Sequence, residues 1–185
     1  MKRRIFLTAP LIASTLFTEA QILKEDLPTK GFKVSKGKGR KIEGLKVLGS
    51  NFDCKVSGKD TNGQLCIFDT LRNNQGGPPL HLHHEQDEWF YVIKGEFKIQ
   101  IGDETFIVKE GDSAFGPRKV PHTFAKTSEG EGQMMVLFQP AGTMEAFFTE
   151  REALEYEADK EKKEANLKTL WDRNGMKIMG PALKI

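Results

Sequence analysis

The chain has 185 residues, enough for one domain of ordinary size with a core that folds without staples, and its 38% hydrophobic and 29% charged residues are those of a globular protein rather than a disordered one. The formal net charge of +2 is accounted for by the first twenty residues, where Lys2, Arg3 and Arg4 stand against Glu19 alone. The remainder is balanced and offers no electrostatic footprint for nucleic acid or an anionic membrane surface, so neither is expected as a partner.

Residues 1–20 read as an export signal: a basic start, a short apolar run from Ile5 to Phe17, and small residues at Thr18 and Ala20 where a signal peptidase cuts. The apolar run is too short for a membrane span, and no later stretch reaches the ~18 apolar residues that one needs. Arg3-Arg4-Ile5-Phe6-Leu7 makes the segment twin-arginine-like, with an ordinary secretory signal carrying an incidental arginine pair as the alternative. In either case the mature chain is expected to begin near Gln21, in the periplasm or outside the cell, with no membrane association of its own.

From about residue 34 to 140 the pattern is one of short strands punctuated by glycine and proline, at 45–48, 52–56, 65–71, 89–93, 97–101, 105–108 and 134–138. Many closely spaced short strands predict an all-β sandwich or barrel. Cys54 and Cys66 flank Ser57-Gly58-Lys59-Asp60-Thr61-Asn62-Gly63, a turn signal, so a cross-strand disulfide and a pair of buried thiols are both open readings. Residues 143–185 change character. The stretch 144–171 has no proline or glycine and predicts one or two helices, anchored by Phe147, Phe148, Leu154 and Trp171, with Gly175 as the stop and an extended apolar tail beyond.

All four histidines fall in two clusters: His81, His83 and His84 in a run closed by Glu88, and His122 further on. Along a strand His81 and His83 point to one face. Glu88 lies an odd five residues beyond His83, so it shares that face only if the chain turns between Leu82 and Trp89 and begins a new strand. Neutral imidazole with carboxylate suits first-row divalent ions, and the reading is a site for one divalent transition metal (Fe, Mn, Ni, Cu or Zn) held by His81, His83, Glu88 and His122. His84 has the opposite parity and is expected to face solvent or support the site from behind. Glu85 and Asp87 read as solvated turn residues, and Arg118 and Lys119 as a surface turn. Phe90, Val92 and Phe124 share the parity of the ligands and are read as core first and as the lining of a substrate pocket second.

The segment Gly76-Gly77-Pro78-Pro79-Leu80-His81-Leu82-His83-His84-Glu85-Gln86-Asp87-Glu88, running on to Gly95, resembles the first motif of the cupin superfamily. Gly111, Pro117 and His122 in the segment 111–122 resemble the second. Lys119 stands where the second motif usually has glycine, and Lys126 where it often ends in asparagine. The resemblance implies a double-stranded β-helix, a jelly-roll barrel, with one metal held by three histidines and a glutamate. In detail the layout is similar to small single-domain cupins described as quercetin dioxygenase-like, on Pro78 to Val92, on Ala141-Gly142-Thr143-Met144-Glu145-Ala146-Phe147-Phe148, and on the closing Gly180-Pro181-Ala182-Leu183.

The function expected of such a chain is that of a metal-dependent dioxygenase acting on a small oxygenated molecule, flavonol-like or an enolisable phenol, with Glu88 also serving as the catalytic proton acceptor. A metal-dependent isomerase, lyase or epimerase on a sugar acid uses the same ligands without oxygen, and a non-catalytic barrel that binds a small molecule uses them structurally. A homodimer is the expected assembly, by analogy with other single cupin barrels.

Overall fold

The computed structural model describes residues 27–185, so the signal-like segment 1–20 lies outside the described residues. Its barrel is built from β1 (Leu45–Val47), β2 (Ser50–Val56), β3 (Cys66–Arg72), β4 (Pro79–His83), β5 (Asp87–Lys94), β6 (Phe97–Ile101), β7 (Glu104–Val108), β8 (Ser113–Gly116), β9 (His122–Lys126) and β10 (Gly132–Gln139). Two helices, α1 (Met144–Ala153) and α2 (Lys160–Arg173), and a last strand β11 (Met176–Ala182) complete the chain. One sheet has the order β1-β2-β3-β10-β5-β8 and the facing sheet β11-β4-β9-β6-β7. This is the all-β double-stranded architecture with a C-terminal helical extension.

Period-two burial makes the strands. In β3 the side chains of Cys66, Phe68, Thr70 and Arg72 are buried while those between are half-buried, and β10 repeats the pattern with Met134, Val136 and Phe138. Phe68 is the hub, with its ring centroid 6.1 Å from Phe52, 6.3 Å from Phe138 and 5.0 Å from Phe148 of α1. Each such ring taken from water contributes roughly 1.5–3 kcal/mol. Phe147, Phe148 and Trp171 are buried and Leu154 packs against the core, so the anchors expected of the helical region are the groups that fasten it to the barrel.

Asp159 caps α2 by accepting from the Lys162 backbone N–H, and Gly175, at φ +71°, releases the chain from the helix. The tail then runs antiparallel along β4, with Met176 opposite His83 and Ile178 opposite His81. The extended arm is thus a strand of the barrel itself. Hydropathy alone did not reveal this, because Lys177, Ile178 and Met179 are exposed and the strand has little alternation.

The turn between β2 and β3 is a short 3₁₀ helix over Gly58–Thr61, with Ser57 and Asp60 forming a reciprocal cap. A bulge sets Cys54 opposite Phe68 and Val56 opposite Ile67, so Cys66 is displaced from Cys54 along the ladder. Both are buried free thiols. Burial pushes each up, Cys54 to about 12, which keeps them protonated and inert at neutral pH. No helix among the described residues is long and apolar enough to cross a membrane.

Candidate metal centre

His81 and His83 come from β4 in one sheet, and Glu88 from the start of β5 in the other. The chain crosses between sheets over His84, Glu85 and Gln86. Asp87 holds the crossing in place, because its carboxylate accepts from Arg118 Nε at 3.0 Å, Nη2 at 2.7 Å and the backbone N–H at 2.8 Å. Asp87 and Arg118 are therefore a bidentate pair rather than two solvated turn residues. His122 opens β9 directly opposite His81. Lys119, three residues before it, has φ +67°, the left-handed conformation that a glycine adopts freely, and its N–H is fixed to the His83 carbonyl at 2.7 Å.

The donor atoms of His81, His83, Glu88 and His122 all lie within 4.8 Å of one another, and all four residues are buried. Two bonds of ~2.1 Å placed trans span ~4.2 Å, so the cluster is close to the size a single ion needs. Each imidazole is oriented from behind: Nδ1 of His81 meets Pro79 O at 2.8 Å, Nδ1 of His122 meets Val120 O at 2.9 Å, and Nδ1 of His83 meets Gln86 Oε1 at 3.3 Å. These acceptors fix the hydrogen on Nδ1 and leave Nε2 to face the centre. Nε2 of His83 is buried without a hydrogen bond, 3.3 Å from Glu88 Oε2. An orphaned inward nitrogen among three aligned imidazoles and a carboxylate fits a divalent transition metal.

Electrostatics point the same way. Burial, with the positive His122 adding to it, draws His81 down to about 3, so it stays neutral. For His122 burial works downward too, but the hydrogen bond to Glu88 Oε2 at 2.8 Å overcomes it and the pKa is raised. Burial would raise Glu88, yet the His122 and His83 imidazoles beside it hold it well below the usual carboxylate range. Below the raised His122 pKa the metal-free centre is thus an imidazolium–carboxylate pair whose proton an arriving ion must displace.

Gln86 was not singled out by the sequence, where it reads as a turn residue. It is buried, and Gly142 beyond the barrel makes room for it, since a Cβ there would lie 1.8 Å from Gln86 Nε2. His84 is exposed, and its backbone N–H donates to Gly175 O at 2.8 Å, so it takes no part in the cluster. Glu85 is exposed as well.

A cavity of about 50 Å³ adjoins His81, His83 and Glu88. Phe124 lines it as expected. Phe90 and Val92 do not, because β5 carries them down into the barrel away from Glu88, where each is 1% exposed and Phe90 packs against Phe124 at 5.8 Å. The walls come instead from Phe138 of β10 and from the helical extension, through Met144, Phe147, Phe148 and Trp171. The Trp171 ring stands 4.8 Å from that of His81. No sequence signal at short range could have found these contacts, because they join residues about 50 to 90 positions apart.

Residues 69–138 match the family described as the cupin domain. An uncharacterised protein of Methanocaldococcus jannaschii is 37% identical over 43 residues, 23% of this chain and 34% of that protein. One from Aquifex aeolicus is 36% identical over 61 residues, 33% of this chain and 50% of that protein. The chain thus spans about a third to a half of the length of these relatives. Among solved structures, the polyketide cyclase RemF from Streptomyces resistomycificus is 19% identical with a TM-score of 0.48, covering 60% of this chain and 80% of that one. An RmlC-like cupin from Shewanella frigidimarina is 21% identical with a TM-score of 0.46, covering 60% and 93%.

His83→Ala and His122→Ala should each abolish metal retention by elemental analysis of the purified protein, and Gln86→Leu should lower metal affinity about 10- to 100-fold; full occupancy in both histidine variants would overturn the ligand assignment. The pH dependence has a definite sign. The His122–Glu88 pair stabilises the metal-free fold fully below the unfolded histidine pKa of ~6.5 and loses that contribution as pH rises through the raised His122 pKa; at the acid end it is lost as pH falls through the lowered Glu88 pKa. Metal affinity should therefore climb about tenfold per pH unit up to the His122 pKa and then level off, as read by chelator competition at a series of pH values.

Proposed function

The chain belongs to the cupin superfamily through residues 69–138, and from that premise we propose that it is a metal-dependent oxygenase of a small, enolisable oxygenated molecule. The observation that carries this reading is the lining of the cavity, where phenylalanine, methionine and tryptophan side chains meet a compact polar centre. A sugar acid placed there would leave several hydroxyls unpaired, at about 1–3 kcal/mol each. Dioxygen and an enol or phenol ask for few polar partners. Size narrows the class further. Ligand pockets for drug-sized molecules run to roughly 300–1,000 Å³, so a cavity of about 50 Å³ favours a substrate of few heavy atoms, and a flavonol would require α1 and α2 to draw back.

His81, His83, Glu88 and His122 would hold the metal. When bound, it would supply Lewis acidity toward a substrate oxygen and, if redox-active, electrons toward dioxygen. The protein residues do the rest. Glu88 is ionised at neutral pH and is the one carboxylate on the cavity wall among the described residues, so it is the group placed to accept a proton from an incoming enol. Phe124, Phe138 and Trp171 keep bulk water from the centre. The narrowness of the same cavity favours a second reading, a barrel that binds its ligand without turning it over.

Oxygen consumption by the metal-loaded protein separates the two. Uptake that depends on both iron, nickel, manganese or copper and a small enol or phenol is the expected result. Retained metal with no uptake across such a panel, or zinc as the native ion, would favour the binding reading. The proposal extends to place and assembly: residues 1–20 direct export to the periplasm or beyond, and the mature protein pairs as a homodimer through exposed Tyr91 and Ile93 of β5 and Phe115 of β8. Amino-terminal sequencing should find a start near Gln21, and light scattering twice the chain mass.

A further inference from the structure

Arg72, the last residue of β3, is 5% exposed and lines the same cavity as His81, His83 and Glu88. Its Nη1 donates to Gly76 O at 3.0 Å, and its guanidinium carbon stands 5.8 Å over the Phe124 ring. Among the described residues no carboxylate lies within ion-pair distance of it, and burial alone lowers its pKa, to about 10, which leaves it charged at neutral pH. A second guanidinium on the cavity, that of Arg151, is paired with Glu155 at 2.7 Å. Among the described residues the one carboxylate on the cavity wall, Glu88, is committed to His122.

A buried cation held by a single carbonyl is costly, because desolvation exceeds what one hydrogen bond returns. Holding the loop after β3 does not explain it. Gly76 already exchanges both backbone hydrogen bonds with Lys126, at 3.2 and 3.0 Å, and Lys126 Nζ donates to Asn73 O at 3.3 Å. The charge is therefore left over for something that enters the cavity. A guanidinium presents a planar fork that matches a carboxylate, and the cavity is too small for a bulky anion.

We propose that the ligand of this cavity is a short organic acid, an enolisable oxo acid of few heavy atoms, whose carboxylate is bound by Arg72 while its carbonyl end faces His81, His83, Glu88 and His122. This deepens the reading of the site as a metal centre for a small enolisable molecule and rests on it. Arg72 is then a specificity-determining residue: it selects the anion and turns the reactive end toward the metal ligands. The apolar walls of Phe124, Phe138 and Phe148 would cover the short carbon chain between.

Calorimetric titration of the metal-loaded full chain with pyruvate, with its neutral isostere pyruvamide and with inorganic phosphate tests this. Pyruvate should bind at least tenfold tighter than either. Arg72→Met should erase the preference for pyruvate over pyruvamide with metal content per chain unchanged, and Arg72→Lys, which keeps the charge without the fork, should retain part of it. Equal binding of pyruvate and pyruvamide by the wild type, no binding of either, phosphate as tight as pyruvate, or an Arg72→Met variant with wild-type preference would each overturn the proposal. If Arg72→Met does not fold, the wild-type comparison and Arg72→Lys still decide it. Failure of the metal reading shows separately, as wild-type protein that takes up no metal; a preference for pyruvate over pyruvamide in metal-free protein would then support the Arg72 assignment by itself.

Discussion

Four polar side chains are buried together at one end of an apolar barrel, and the structure around them is organised by the need to keep their donor atoms aimed at one point. Imidazole nitrogens and a carboxylate buried away from water are costly unless each finds a partner. Here the outer nitrogens are satisfied by Pro79, Val120 and Gln86, and His122 Nε2 and Glu88 Oε2 satisfy each other, while His83 Nε2 is left for an ion. That arrangement is only possible because β4 and β5 lie in opposite sheets, so that histidines from one wall face a glutamate from the other. The Asp87–Arg118 pair and the Lys119 N–H to the His83 carbonyl tie down the two turns that bring the walls together.

The helical extension belongs to the same logic. An open barrel end would leave the cluster in water, where its electrostatics would be weak. α1 and α2 place Phe147, Phe148 and Trp171 across it, and β11 extends the sheet that carries His81 and His83. The result is a small cavity with apolar walls and two arginines, one compensated by Glu155 and one not. The asymmetry between Arg151 and Arg72 is a difference of partners and not of burial, since the two are 6% and 5% exposed.

Much of this was legible in the chain. Short strands with period-two alternation, glycine turns and the four histidines with Glu88 were enough to anticipate the barrel, the turn before Glu88 and the set of converging side chains. Parity was a good guide where a strand is regular: His81 and His83 inward, His84 outward. At Phe90 and Val92 it placed both side chains in the core, where they are, but not on the cavity, since parity tells which face a side chain takes and not how far down the barrel it lies. Asp87 looked like a solvated turn residue because its partner, Arg118, is 31 positions away. Lys119 departs from the expected glycine without losing the turn, because its left-handed backbone is held by the hydrogen bond to His83.

By itself, then, the sequence determined the class of fold, the ligand chemistry and the residues able to supply it, because those depend on local periodicity and on side-chain type. Only the tertiary structure decided which groups stand behind the ligands, what closes the cavity and which charge in it is unpaired. Gln86, Trp171 and Arg72 carry no local signature, and their roles arise from contacts between segments far apart in the chain. Size and charge of a cavity are properties of the space between elements, which no single stretch of sequence encodes.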